Sequence, residues 1–192
     1  MRNLHLILVL ATSLLPFATV QAAPADLPET GQTTCYDTAG AIIVCTGTGQ
    51  DGDLKAGVAW PAPRFVVGTD VTTKGCVTDN LTGLMWVRTP SAISVTWIAA
   101  LTSANGLTLC GFSDWRLPNV NELESLVNSE VADQATFLND QGFSGVPVGY
   151  YWSSSGYAGS SAIAWVVSMS GGDVNAFNKS FNNYVWPVRA GQ

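Results

Sequence analysis

The chain has 192 residues, of which 47% are hydrophobic and 11% are charged, and its formal net charge at pH 7 is −6. The basic residues that follow the first 22 positions are scattered, and no two of them are sequence neighbours. Because nucleic acids, anionic membranes and sulfated polysaccharides bind to basic patches, this distribution argues against all three as partners. The one histidine, His5, lies near the N-terminus. A chain processed beyond it would hold no Ser-His-Asp or Cys-His catalytic site and no histidine-ligated metal.

The first 22 residues have the pattern of a secretory signal peptide. Arg2 supplies a positive start, residues 4–20 are largely apolar, and Val20-Gln21-Ala22 has the form of a cleavage site. The apolar run is short for a membrane-spanning helix. We therefore expect cleavage after Ala22, export to the periplasm or the extracellular space, and no membrane span afterwards. Residues 23–34 are small, polar and proline-containing, which predicts a flexible leader.

Four cysteines follow the signal peptide, and an even number in an exported chain favours two disulfides over free thiols. Of the three possible pairings, we prefer Cys35 with Cys45, because a turn signal (DTAG) lies between two strand-like runs there. That choice leaves Cys76 to pair with Cys110. Residues 35–63 are then predicted to form a cysteine-closed hairpin followed by a link rich in glycine and proline.

A possible calcium loop lies within this segment. Gln50-Asp51-Gly52-Asp53 brings several oxygen ligands close together, as calcium requires. The segment lacks the longer ligand array and the closing glutamate of an EF-hand, and a tight turn explains it as well. Calcium at Asp51 and Asp53 is therefore the one cofactor considered, and no other metal or cofactor site is expected.

Residues 64–192 predict a single α+β domain that begins with three short strands. Runs of strand-forming residues bounded by turn residues place these strands at 65–67, 76–78 and 84–87. A first helix is predicted over residues 97–104. Apolar residues recur there at i, i+3, i+4 and i+7, and an Asn-Gly pair stops the helix.

A second helix is predicted over residues 120–128. Asn119 lies three residues before Glu122, the spacing at which both side chains accept hydrogen bonds from free backbone N–H groups. The nearby Arg116 is assigned a structural role, with Asp114 or Glu122 as its partner. An arginine in an apolar motif usually forks onto carboxylates or carbonyls.

The C-terminal part is predicted to be β-structure, after an irregular stretch at 131–149 that glycine and proline interrupt. Strands are predicted at 162–169, 173–178 and 184–189. Pro187 favours an edge or a bulge in the last of them, because proline cannot donate a ladder hydrogen bond. The tryptophans expected in the core are Trp152, Trp165 and Trp186.

Four blocks of sequence carry a family resemblance: TGLMWVR, CGFSDWRLPNVNEL, YYWSSS and the closing AWVV with YVWPVR. They resemble the Lcl C-terminal domain family, bacterial secreted domains named for the C-terminal domain of a Legionella collagen-like adhesin. The likeness extends over roughly residues 30–189 and its motifs are specific. It implies a C-type-lectin-like fold with two helices packed on short antiparallel sheets, and a role in surface recognition. Glycans are the known ligand class of the adhesin, and the resemblance implies no established catalytic activity.

The stretch from Gly156 to Tyr184 is the candidate recognition surface. It is rich in Tyr, Asn, Ser and Gly, which combine rigid aromatic area with adaptable hydrogen bonding. An ordinary β-meander explains the composition equally well. The resemblance favours binding, since some relatives vary in this region. The predicted ligand-binding residues are Tyr157, Asn175, Asn178, Lys179, Asn182, Asn183 and Tyr184.

We therefore predict a secreted, non-enzymatic recognition module that binds a glycan or a cell-surface protein. A structural protein of the envelope or of an assembly is the alternative. A formylglycine-generating type of enzyme, whose broad fold is similar, needs a reactive cysteine pair, and disulfides account for all four cysteines. A carboxylate-based hydrolase is disfavoured too. Glu122 and Glu124 lie two apart on a helix and diverge instead of facing each other across a cleft.

Overall fold

The computed structural model describes residues 27–191 of the chain, so the predicted signal peptide and residues 23–26 lie outside the described part. All pairs of strands are antiparallel. The strands are β1 (Cys35–Tyr36), β2 (Ile42–Ile43), β3 (Phe65–Val67), β4 (Cys76–Asp79), β5 (Leu84–Val87), β6 (Tyr150–Gly156), β7 (Ile163–Ser168), β8 (Val174–Asn178) and β9 (Val188–Ala190). The helices are α1 (Asp51–Leu54), α2 (Trp97–Asn105), α3 (Val120–Glu124) and α4 (Gln134–Asp140). This mixture confirms the α+β class.

The strands of the described range form a small hairpin and two larger sheets. The hairpin pairs β1 with β2, the four-stranded sheet has the order β3-β4-β5-β9, and the three-stranded sheet has the order β6-β7-β8. Trp86 lies in the middle of the four-stranded sheet, paired with Val77 on one side and Val188 on the other. Its ring packs edge-on against Trp186, with 5.9 Å between the centroids. Both indoles are completely buried, so they form the centre of the larger core.

The three-stranded sheet is covered on both faces. Because side chains alternate along a strand, Tyr151 points to one face and Trp152 to the other. The Tyr151 face packs against α3 and the chain after it, through core residues that include Leu123, Leu126, Val167 and Met169. The Trp152 face packs against α2, through Ala100, Ala104, Ala164 and Val166. The sheet is thus packed between two groups of core residues.

The helix predicted to begin at Trp97 is confirmed, and the second predicted helix is shorter than expected. α3 begins at Val120 as predicted but ends at Glu124 instead of residue 128. The turn that follows uses i→i+3 hydrogen bonds, such as Leu126 N–H to Leu123 O at 3.1 Å. The Ser125 carbonyl accepts from the buried Arg64 guanidinium instead of continuing the helix. A distant side chain therefore occupies an acceptor that a longer α3 would use.

The prediction of irregular structure over 131–149 is wrong in part, because α4 lies within it. Asp133 caps this helix by accepting from the Thr136 N–H at 3.2 Å and from its hydroxyl at 2.8 Å. Ala135 and Leu138 are buried in the larger core. The expected number of two helices is corrected accordingly, since the described residues form four, of which α1 is a single turn.

Both predicted disulfides are confirmed: Cys35 pairs with Cys45, and Cys76 with Cys110. The described part of the predicted leader lies against the domain. Glu130 Oε2 accepts from the Thr33 N–H at 2.7 Å. The segment is thus held by contacts far away in the sequence, which its composition does not reveal.

The last strand also differs from its prediction. Only β9 joins the four-stranded sheet, as its edge strand, and it begins directly after Pro187. Tyr184 instead makes an isolated bridge to Tyr151 of the other sheet. Residues 184–190 therefore run from one sheet to the other, and the edge position expected from Pro187 is confirmed. Of the tryptophans expected in the core, Trp152 and Trp186 are fully buried and Trp165 is half-buried.

Candidate functional site

Three segments meet at the end of the three-stranded sheet where β6 ends, β7 begins and β8 ends. We call them the sheet-end surface: residues 93–98, 157–162 and 178–183. Val95 and Asn183 exchange two backbone hydrogen bonds, of 2.9 and 3.0 Å, which fix the first segment against the third. The Lys179 N–H donates to the Ala162 carbonyl at 2.9 Å and joins the third segment to the second. Backbone pairing thus builds a defined surface from separate parts of the chain.

Tyr157 provides the most exposed aromatic ring among the predicted ligand residues. Its backbone N–H donates to the Ile163 carbonyl at 3.0 Å, which continues the β6–β7 pairing past the strand end. Its ring meets Trp165 edge-on, with 5.3 Å between the centroids. The side chain is 38% exposed, so it presents aromatic area to solvent while the contact with Trp165 fixes its position.

Lys179 and Trp97 form a second aromatic contact of the sheet-end surface. The Lys179 ammonium lies 4.0 Å from the centroid of the Trp97 indole and donates to the Ser161 carbonyl at 2.9 Å. The indole N–H of Trp97 donates to the Ser153 carbonyl at 2.8 Å, which fixes the ring. The helical spacing predicted that Trp97 lies on the apolar face of the first helix, and its place at this surface was not predicted.

The exposed amides of the site lie in the turn after β8. Asn178 Oδ1 accepts from the backbone N–H and the hydroxyl of Ser180, at 3.0 and 2.9 Å, so this side chain stabilises its own turn. Asn182 is exposed. Between them, Phe181 has 58% of its surface exposed, which sequence reasoning also missed. The local signal that would have identified Phe181 is a bulky apolar residue inside a loop of Asn and Ser.

The other predicted ligand residues lie outside the exposed part of the sheet-end surface. Asn175 is exposed, but it lies opposite Val166 within the β7–β8 pair, and its side chain points to the face of the sheet opposite that of Asn178. Asn183 is only 7% exposed, and its Nδ2 has no hydrogen-bond partner among residues 27–191. Tyr184 is half-buried, with its ring 5.4 Å from that of Tyr151. Of the seven residues, four are thus accessible at the sheet-end surface: Tyr157, Asn178, Lys179 and Asn182.

The residues predicted to be structural occupy the roles expected of them. Asn119 and Glu122 form a complete capping box at the start of α3. Arg116 forks onto Glu122, with N–O distances of 2.7 and 2.6 Å, while Asp114 pairs with Arg189 instead. Partial burial alone would raise the pKa of Glu122. The hydrogen bonds from Arg116 and from the Asn119 N–H, with the attraction of the Arg116 charge, outweigh that effect and lower it.

Two tyrosines of the three-stranded sheet have raised pKa values. At the end opposite the sheet-end surface, Tyr150 donates to Asp173 at 2.8 Å, and this hydrogen bond raises the pKa of the phenol. Burial raises the pKa of Tyr151, whose hydroxyl donates to the Pro147 carbonyl. Both phenols therefore stay protonated at neutral pH and act as hydrogen-bond donors.

The segment considered for calcium forms the short helix α1. Asp53 Oδ2 accepts from the Gly47 and Gly49 N–H groups at 3.0 and 3.1 Å, and the Thr30 hydroxyl donates to Asp51. Protein donors thus already occupy one oxygen of each carboxylate. Between residues 27 and 191, no three Cys, Asp or Glu side chains are grouped as metal ligands.

Two open depressions lie beside the aromatic pair of Trp60 and Phe137, whose ring centroids are 6.3 Å apart. The larger, of about 380 Å³, is lined by α4 and the residues before it, and the smaller, of about 250 Å³, by the N-terminal segment and Trp60. No residue of the sheet-end surface lines either one.

These observations define a disulfide-bonded α+β domain with an aromatic and amide-rich surface formed by loops. Residues 75–189 match the Lcl C-terminal domain family, which is more than half of the chain, and the chain belongs to this family. No curated protein matches the sequence. The family is adhesin-related and is not a known enzyme family. The two disulfides and this domain type fit an exported protein, and no helix within residues 27–191 is long and apolar enough to cross a membrane.

Proposed function

We propose that this protein is a secreted, non-enzymatic recognition module that binds a glycan through the sheet-end surface, without calcium. Its domain would have a C-type-lectin-like arrangement. Export to the periplasm or the extracellular space, after removal of residues 1–22, is part of the same proposal. A cell-surface protein is the other ligand that the sequence predicts, and the experiment below separates the two.

The observation that carries the proposal is the exposed ring of Tyr157 held against Trp165, on a surface to which the exposed amide of Asn182 also belongs. Sugar rings pack their C–H faces on aromatic side chains, and their hydroxyls hydrogen-bond to amides. Rigid anchors of this kind cost little conformational entropy on binding, because the ring is already in place. The membership of an adhesin-related family agrees with such a role.

The test is binding of the oxidised mature protein to a broad glycan array, with calcium and again with a chelator. Tyr157→Ala should weaken a reproducible signal roughly tenfold, whereas Tyr157→Phe, which keeps the ring, should retain most of it. Tyr36→Ala is the matched control, because Tyr36 lies in the N-terminal hairpin and is 42% exposed. Equal losses for Tyr157→Ala and Tyr36→Ala would contradict the proposed site.

The amides need a second pair of variants. Asn182→Ala should weaken binding, while Asn121→Ala on α3, another exposed asparagine, should not. Asn178→Ala and Tyr184→Ala are less informative, because one side chain supports its turn and the other packs on Tyr151. Binding that disappears in the chelator would contradict the calcium-free proposal. A blank array would shift the proposal to a protein ligand.

The alternative role in an envelope or an assembly is supported by exposed apolar residues at the N-terminal hairpin. Ile42 and Val44, two positions apart in the hairpin, are 74% and 81% exposed, and Leu54 of α1 is 64% exposed. Exposed apolar residues that join into one patch mark an interaction surface. If this surface joins copies of the chain, the protein should sediment as an oligomer. Ile42→Ser with Val44→Ser should then return it to a monomer.

A further inference from the structure

Lys179 is the only charged residue in the three segments of the sheet-end surface. The charge that this surface offers to a ligand therefore depends on whether the ammonium group is free. A lysine that extends into solvent attracts anionic groups freely, whereas an anion that approaches a lysine held by protein acceptors competes with those contacts.

The contacts of Lys179 reach both of the other segments. Its side chain donates to Ser161 and covers the Trp97 ring, as described above. Its backbone carbonyl also accepts from the Trp97 N–H at 3.1 Å, in addition to the N–H bond to Ala162. The residue thus fixes the 157–162 loop and the start of α2 against the turn after β8. A sulfate or carboxylate that drew this ammonium away from the surface would break both side-chain contacts.

We propose that Lys179 is a positioning residue of the sheet-end surface and that the surface selects an uncharged, hydroxyl-rich ligand, such as a neutral polysaccharide, over an anionic one. This inference rests on the proposed function and narrows its ligand. The remaining polar groups of the surface are amides and hydroxyls, which donate to and accept from sugar hydroxyls. The aromatic rings supply the apolar contact area.

The first experiment tests the role of Lys179 without any ligand. Lys179→Met keeps most of the aliphatic stem and removes the charge, and it should raise the hydrogen exchange of amides in residues 157–162 about two- to fivefold. Lys74→Met, at an exposed lysine, is the matched control and should leave these amides unchanged. Unaltered exchange in β5 would show that the fold is intact. Exchange in 157–162 that stays at the wild-type rate would overturn the positioning role.

The second experiment tests the ligand class with neutral and sulfated polysaccharides, using dextran and dextran sulfate as a pair that shares one glucose backbone and differs in sulfation. The wild-type protein should prefer the neutral members of the set. Its affinity for them should change less than about twofold between about 50 mM and about 200 mM salt. Lys179→Met should weaken neutral binding about two- to fivefold.

The possible failures are distinguishable. Preferential, salt-sensitive binding of dextran sulfate that Lys179→Met abolishes would overturn the inference and leave glycan recognition standing. Failure to bind any glycan would overturn the proposed ligand and its charge class together. The exchange experiment would then still decide whether Lys179 positions the surface.

Discussion

Arg116 and Glu122 form a two-pronged ion pair, and the same carboxylate closes the N-terminus of α3 by accepting from the Asn119 N–H at 2.8 Å. The Glu122 carboxylate therefore links α3 to the edge of the four-stranded sheet, because the backbone of its partner Arg116 pairs with Val188 of β9. Forked charge-assisted hydrogen bonds fix geometry as well as adding energy. The Arg116 side chain is 43% exposed, so solvent screening moderates the gain.

Glu122→Gln should lower the free energy of unfolding by about 1 kcal/mol, since it removes the charge but keeps one acceptor for the cap. Glu124→Gln on the same helix is the control, because Glu124 is exposed and should contribute within about 0.5 kcal/mol. Urea unfolding at neutral pH measures both. A cost for Glu122→Gln no larger than for Glu124→Gln would mean that the ion pair adds nothing to stability.

The difference between the wild type and Glu122→Gln should shrink in acid. The pKa of Glu122 is lower in the folded protein than its ordinary value of 4.5, so the unfolded chain binds more protons at pH values between the two. Stability from this group is therefore complete above about pH 4.5 and is lost as the pH falls through the folded pKa. Urea unfolding of both proteins from about pH 7 to about pH 3 tests this. A difference that stays constant with pH would contradict the assignment to Glu122.

The features predicted well from sequence are those that neighbouring residues determine. The Asn119–Glu122 spacing predicted the start of α3, and a turn signal with a cysteine on each side predicted the first disulfide. α4 was missed because its amphipathic pattern extends over only seven residues, and glycine and proline follow shortly. Asp133 three residues before Thr136 was the local signal that would have identified it.

The candidate site was predicted in part, because its composition is visible in the sequence and its exposure is not. Asn182 and Asn183 are neighbours of the same type, but the backbone of Asn183 pairs with Val95 and its side chain is buried. The contact of Lys179 with Trp97 likewise joins distant parts of the chain. No local pattern contains this information, because it arises from how α2 and β8 pack.

Asp133→Ala should destabilise the protein, because it leaves the Thr136 N–H in the first turn of α4 without its acceptor. Asp133→Asn, which can still accept a hydrogen bond, should restore most of this loss. Asp140→Ala at the other end of α4 is the control and should be neutral or slightly stabilising, since an acid there opposes the helix dipole. Thermal or urea unfolding gives the values. Equal effects at both ends would contradict the capping role of Asp133.

Glu130→Ala should release the N-terminal segment from the domain. The carboxylate accepts from the N–H groups of Thr33 and Thr34, at 2.7 and 3.1 Å, and from the Thr34 hydroxyl. The hydrogen bond from the Thr33 N–H is the main reason that the pKa of Glu130 is lowered, so the acceptor is charged at neutral pH. Removing it should raise the hydrogen exchange of these two amides at least about tenfold.

The matched control is Glu124→Ala, an exposed glutamate on α3. It should leave the exchange of Thr33 and Thr34 unchanged, and neither variant should alter exchange in β5. If Glu130→Ala also leaves the two amides protected, the bridge between Pro28 and Val58 and the adjacent disulfide hold the segment without the carboxylate. In that case residues 27–34 depend on backbone pairing and covalent closure, and Glu130 contributes only a surface contact.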